Sequence, residues 1–95
     1  MNMPNLCETE NVKCEEKIIY QVYYLASVQF LWLIAEYDPD QKMAFGFANL
    51  NDDLNAEWGD IYIPELLKAG ARQVKGWVPR RFSEIKQDEI LTELT

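Results

Sequence analysis

Lys75, Trp77, Arg80, Arg81 and Phe82 lie within "KGWVPRRF" and combine two chemistries that proteins holding single-stranded nucleic acid use together. Aromatic rings stack on bases, and guanidinium groups take phosphate in a two-pronged grip. The wider segment from Lys68 to Lys86 holds six basic residues, Lys68, Arg72, Lys75, Arg80, Arg81 and Lys86, against the single acid Glu84, a local net charge of +5. The chain as a whole carries −7, so the remainder carries −12 and opposes a polyanion at low salt. Trp77 and Phe82 also fit as core residues of a closing strand, with the arginines paired to the protein's own acids.

An acidic segment mirrors the basic one. Glu36, Asp38, Asp40, Asp52, Asp53, Glu57, Asp60 and Glu65 are opposed only by Lys42, a local net charge of −7. If the turns near residues 38–41 and 50–57 converge, their carboxylates imitate the spaced charges of a nucleic-acid backbone, and a basic nucleic-acid-handling protein becomes the natural partner. Left apart, they are a solvated surface that keeps the domain soluble. Trp58 stands within this acidity, either as an exposed interface anchor or as a buried ring.

Other chemistries fail on residue types. Asn51, Asp53, Asn55 and Glu57 alternate like calcium ligands, but Ala56 stands where such a loop needs glycine and Tyr62 where it needs a bidentate glutamate. With no histidine and only Cys7 and Cys14, the four-ligand zinc set is out of reach. Ser27 and Ser83 have no histidine to activate them, so no nucleophile and base assemble. The expectation is a non-enzymatic protein with neither metal nor cofactor.

These groups need a scaffold. The 95 residues are 48% apolar, enough for one core and too few for two domains. Residues 1–16 are polar and acidic and read as a flexible arm, with free thiols at Cys7 and Cys14; residues 17–95 read as a single α+β domain. No signal-peptide pattern is visible, and the apolar run Val22–Ala35 falls short of the roughly 20 residues that span a bilayer, so a cytoplasmic protein without a membrane partner is expected.

"KIIYQVYYLA" has the β-branched and aromatic composition of a first strand. "SVQFLWLIAEY" is apolar on both alternating sets and reads as a central strand covered on both faces. Asp38, Pro39, Asp40 and Gln41 supply a turn into "MAFGFANL", whose Ala44, Gly46 and Ala48 leave one side thin and open to a bulky neighbour. "WGDIYI" makes a fourth strand, and "PELLKAG" a short helix closed by Gly70. Pro79 favours extended chain before it, and Ser83 is placed to cap a last helix, Glu84–Leu94. An antiparallel sheet of three to four strands with these two helices follows.

In the order "FLWLIAEY", "AFGFANL", "AEWGDIYIPELL" and "PRRFSEI", the chain resembles an uncharacterised bacterial family of domains of unknown function typical of plasmids, phages and integrated elements. Trp32, Glu36, Phe45, Gly46, Glu57, Gly59, Glu65, Leu66, Pro79, Ser83 and Glu84 carry the resemblance, which covers roughly Ile18 to Ile85. The family's Glu-Arg-Asp triplet ahead of the proline has no counterpart in "QVKGW". The resemblance implies the fold and a mobile-element setting, and no activity.

Together these readings favour an interaction module. Its acidic surface, Asp38, Asp40, Asp52, Asp53, Glu57, Trp58 and Asp60, is expected to bind, and by binding could inhibit, a basic nucleic-acid-processing protein of host defence such as a CRISPR or restriction effector. The alternative is a weak nucleic-acid-binding module built on Lys75, Trp77, Arg80, Arg81 and Phe82.

Overall fold

The structure, a computed structural model, describes residues 3–94; Met1 and Asn2 of the expected arm, Thr95 of the expected domain and the side chain of Leu94 lie outside the described residues. Its spine is the doubly apolar segment, which forms β3, Phe30–Asp38. On one side stand β2, Gln21–Leu25, and β6, Arg72–Gln73; on the other, β4, Met43–Leu50, and β5, Glu57–Tyr62. These five run antiparallel in the order β5-β4-β3-β2-β6, so the strand with two apolar faces occupies the centre.

Alternation assigns the faces. Leu31, Leu33 and Ala35 of β3 join Ile19 and Val22 on one face, covered by Val74, Trp77, Phe82, Ile85, Ile90 and Leu91 from the chain after β6. Trp32 and Ile34 join Tyr23, Ala44 and Ile61 on the other, covered by Ile63 and Leu66 of helix α1, Ile63–Lys68, and by Met3. The thin side of β4 is used as its composition suggests: Trp32 pairs with Ala48, and Gly46 sits so close to β3 that a Cβ there would lie 2.1 Å from the Leu33 carbonyl oxygen. That approach accompanies a register shift between Ile34 and Glu36, a bulge that re-aims Glu36. Gly70 ends α1 with φ +99°, as the sequence implies.

Among the described residues the expected three to four strands become seven. The first expected strand divides at Tyr20, whose N–H donates to the Ile34 carbonyl, and β1, Ile18–Ile19, leaves the main sheet to pair with β7, Arg80–Arg81. The last helix is also shorter than expected. Phe82 turns inward against Phe47 and Trp58, and Ile85 N–H donates to the Phe82 carbonyl, so 82–84 form a single 3-10 turn. Helix α2 therefore spans Gln87–Leu94, and Ser83 lies within the 3-10 turn and not at the helix start.

The leader is seated on the sheet at several points. Tyr37 donates its N–H to the Pro4 carbonyl at 2.9 Å, and Met3 packs on the α1 side. Cys7 and Thr9 donate their N–H groups to the carboxylate of Glu36 at 2.8 and 3.1 Å, and the Thr9 hydroxyl donates to it as well. Lys17 Nζ completes the network, donating to the Thr9 carbonyl and hydroxyl oxygens at 2.5 and 2.8 Å and lying 3.8 Å from Glu36 Oε2. Both charged groups are buried, and each is compensated by the other and by hydrogen bonds.

Candidate functional site

The acidic residues do not gather into one patch. The β3–β4 turn with Asp38 and Asp40 and the β4–β5 loop with Asp52 and Asp53 sit at opposite ends of β4, about 24 Å apart for eight extended residues. Between them runs the edge strand β5, with Glu57 beside Ala48 near the loop and Asp60 beside Phe45 nearer the turn. Of the two arrangements the sequence left open, converging or apart, the turns stand apart, and the acids form a dotted line along one sheet edge. Glu36 leaves the set altogether, because its bulge turns it into the buried pair with Lys17.

The acids differ in what else they do. Asp38 accepts the N–H groups of Asp40 and Gln41 and so builds the hairpin turn. Asp52 accepts the Leu54 N–H at 3.2 Å and the Asn55 side-chain amide at 2.5 Å, while Asn49 accepts the Asp52 N–H and donates to Asp53 Oδ1 at 2.8 Å. Asn51 takes φ +59°, a left-handed conformation that asparagine tolerates well. Side-chain-to-backbone bonds thus stiffen the loop, and at its tip Leu54 is 96% exposed. Leu54 was not singled out from the sequence. The available signal was one aliphatic residue isolated in the polar run "NDDLNAE".

Trp58 is half-buried. Its indole stacks on Phe45 at 5.7 Å and meets Phe82 edge-on at 4.9 Å, and Phe47 packs against both. The tryptophan serves the sheet face below the acidic edge more than a partner.

The basic segment also divides. Phe82 is taken by that aromatic cluster, and Arg81 bridges Glu16 at 3.2 Å and Glu84 at 3.3 Å, partners that raise its already high pKa. Trp77 Nε1–H donates to the Ile19 carbonyl at 2.9 Å, which fixes the ring, and the Arg80 guanidinium lies 4.5 Å over one ring face. Lys75 stays exposed on the turn with Gly76. Of the five residues read as one nucleic-acid surface, Phe82 and Arg81 are drawn off to other partners, while Lys75, Trp77 and Arg80 stay together around one hollow.

Both cysteines are free thiols, Cys7 exposed and Cys14 half-buried. The Cys7 thiol is pushed above its ordinary pKa, first by a hydrogen bond with Glu10, then by the charges of Glu10, Glu36 and Asp60. Among the described residues, no three histidine, cysteine or acidic side chains are placed to hold a metal, and no helix is long and apolar enough to cross a membrane.

Comparisons with protein-family models, with curated proteins and with solved structures find no match to this chain.

Proposed function

We propose that the chain is a non-enzymatic interaction module whose β5 edge receives a basic protein. One observation carries the reading: a loop stiffened by its own Asp52, Asn49 and Asn55 raises an almost fully exposed leucine, Leu54, between carboxylates. A projecting aliphatic group on an ordered loop gives up little conformational entropy on docking and fills a pocket in a partner. Asp52, Asp53 and Glu57 near it, with Asp60 farther along β5, complement a basic surface, speed encounter and set orientation. Asp38 and Asp40, at the far end of the edge, act only through long-range attraction.

The resemblance supplies the setting. In a plasmid or phage, a basic protein met in this way is one that handles nucleic acid for host defence, a CRISPR or restriction effector, and occupying its nucleic-acid surface inhibits it. Against the alternative, in which Lys75, Trp77, Arg80, Arg81 and Phe82 form one nucleic-acid surface, stand the pairing of Arg81 and the inward packing of Phe82.

Affinity capture from a bacterial host lysate tests the proposal, with three baits compared: the unaltered chain, Leu54→Asp, and Asp52→Lys with Asp53→Lys. Support is a basic protein, identified by mass spectrometry, that is retained by the unaltered chain and lost with both variants and at raised salt. Partners indifferent to both variants overturn it.

A further inference from the structure

At the sheet's opposite edge, β6 pairs with Tyr23 and Tyr24 of β2, and Val74 N–H donates to the Val22 carbonyl at 2.8 Å before the chain swings away through the turn at Lys75 and Gly76. Beside this edge lies an open groove of about 1050 Å³. Tyr20, Tyr24 and Trp77 supply its rings, Arg72 and Lys75 its charges, and Gln21 and Gln73 side-chain amides; among the described residues no carboxylate lines it.

From this lining we propose that the groove binds a nucleotide, its base held against the aromatic rings and its phosphate by Arg72 and Lys75. Trp77 is held in place, because its N–H is already committed to Ile19 and the ring cannot swing away. Arg80 lies over one face of the indole and the ring packs on the apolar face of the sheet, so Trp77 is a fixed wall of the groove and the stacking surface falls to Tyr20 and Tyr24. Stacking on such rings contributes roughly 1–3 kcal/mol per base and tolerates any base. The glutamines add donors and acceptors for base edges without adding charge.

The acids of β5 lie across the sheet, and the nearer acids, Glu84, Glu89 and Glu93, line an adjoining hollow together with the cations Lys75, Arg80 and Lys86, so the overall −7 is not concentrated on the groove. Four strand spacings come to about 19 Å, beyond the roughly 8 Å over which physiological salt screens exposed charges. The ligand is either a free nucleotide or one unit of a single strand, and the two are separable by experiment.

The test is a titration of the isotope-labelled full chain, followed by amide and indole resonances at low salt, with adenosine monophosphate, adenosine, inorganic phosphate and a short oligothymidylate as separate probes. Expected are shifts at Tyr20, Tyr24, Gln73 and Lys75 and at the Trp77 indole N–H, with the monophosphate bound more tightly than adenosine or phosphate alone. Tighter binding of oligothymidylate assigns the groove to a strand, and tighter binding of the monophosphate to a free nucleotide. Arg72→Glu with Lys75→Glu weakens either by at least about tenfold; if that variant loses its dispersed spectrum, Arg72→Gln with Lys75→Gln takes its place with a smaller loss. The proposal fails if neither nucleotide probe perturbs the groove, if phosphate alone binds as well as the monophosphate, or if a folded charge variant binds undiminished.

Discussion

The two edges of the five-stranded sheet are built from strands of different length, and the difference decides what each offers. β5 pairs with β4 along Glu57–Tyr62 and closes that edge as a continuous wall, with Glu57 and Asp60 on it and a rigid loop at its end. β6 is two residues long, and past the bond from Val74 to Val22 the chain turns off at Lys75 and Gly76 beside a groove between rings and cations. A long edge strand gives a surface that a protein can lie against; a short one gives a recess that a small planar ligand can enter. Because the edges are about 19 Å apart, each senses the other's charge only weakly at physiological salt.

That contrast needs a stiff middle, and the largest predicted effect attacks it. Glu36→Leu alone leaves the Lys17 ammonium buried without its carboxylate and strands the N–H groups of Cys7 and Thr9, so urea unfolding should show a loss of about 3–5 kcal/mol. Replacing both partners, Lys17→Met with Glu36→Leu, should recover most of that loss, because no lone charge then remains. Equal losses for the single and double variants would mean that the backbone bonds to Glu36, and not the charge pair, fasten the leader.

A pair of glycines separates interior from edge. Gly46 and Gly59 face each other across β4 and β5, yet a Cβ at Gly46 meets the Leu33 carbonyl oxygen at 2.1 Å while one at Gly59 meets nothing within 4 Å. Gly46→Ala should cost about 3 kcal/mol, since backbone and not a flexible side chain must give way. Gly59→Ala should be neutral or stabilising by up to about 1 kcal/mol, as a strand glycine gives up excess chain entropy. Thermal unfolding of both variants decides whether the edge tolerates what the centre rejects.

Charge reversal tests the independence of the edges directly. Asp52→Lys with Asp53→Lys should weaken protein capture by at least about tenfold and leave nucleotide binding within about twofold, and Arg72→Glu with Lys75→Glu should do the reverse. If either double variant moves both affinities equally, the two surfaces are one electrostatic unit and the contrast drawn from strand length is void.

Local chemistry was legible in the sequence and long-range placement was not. The centrality of Phe30–Asp38 followed from two apolar faces, the hairpin from Asp38 and Pro39, and the helix stop from Gly70, each a property of neighbouring residues. The split of β1 from β2 was invisible because "IIYQVYY" suits a strand throughout; the break depends on which carbonyl Tyr20 meets across the sheet. In the same way, nothing local shows that the bulge turns Glu36 inward, or that β4 holds the two acidic turns apart. The groove was hidden for a related reason, since Tyr20 and Tyr24 lie some fifty residues from Arg72 and Lys75.

The smallest prediction uses a natural reporter on the acidic half. Cys7 is exposed, so access does not limit its alkylation; the thiolate is the reactive species, and the raised pKa keeps it scarcer than in an ordinary thiol at any pH below that pKa. Glu10→Ala removes the first cause, both its hydrogen bond and its charge, and should accelerate alkylation roughly twofold near pH 8. Asp60→Asn removes a more distant charge and should act in the same direction by less, with the gain shrinking as salt is added. An Asp60 effect absent at low salt would mean that the field of the β5 edge does not reach the leader, whereas a graded response, Glu10 above Asp60, measures how far that field extends before solvent screens it.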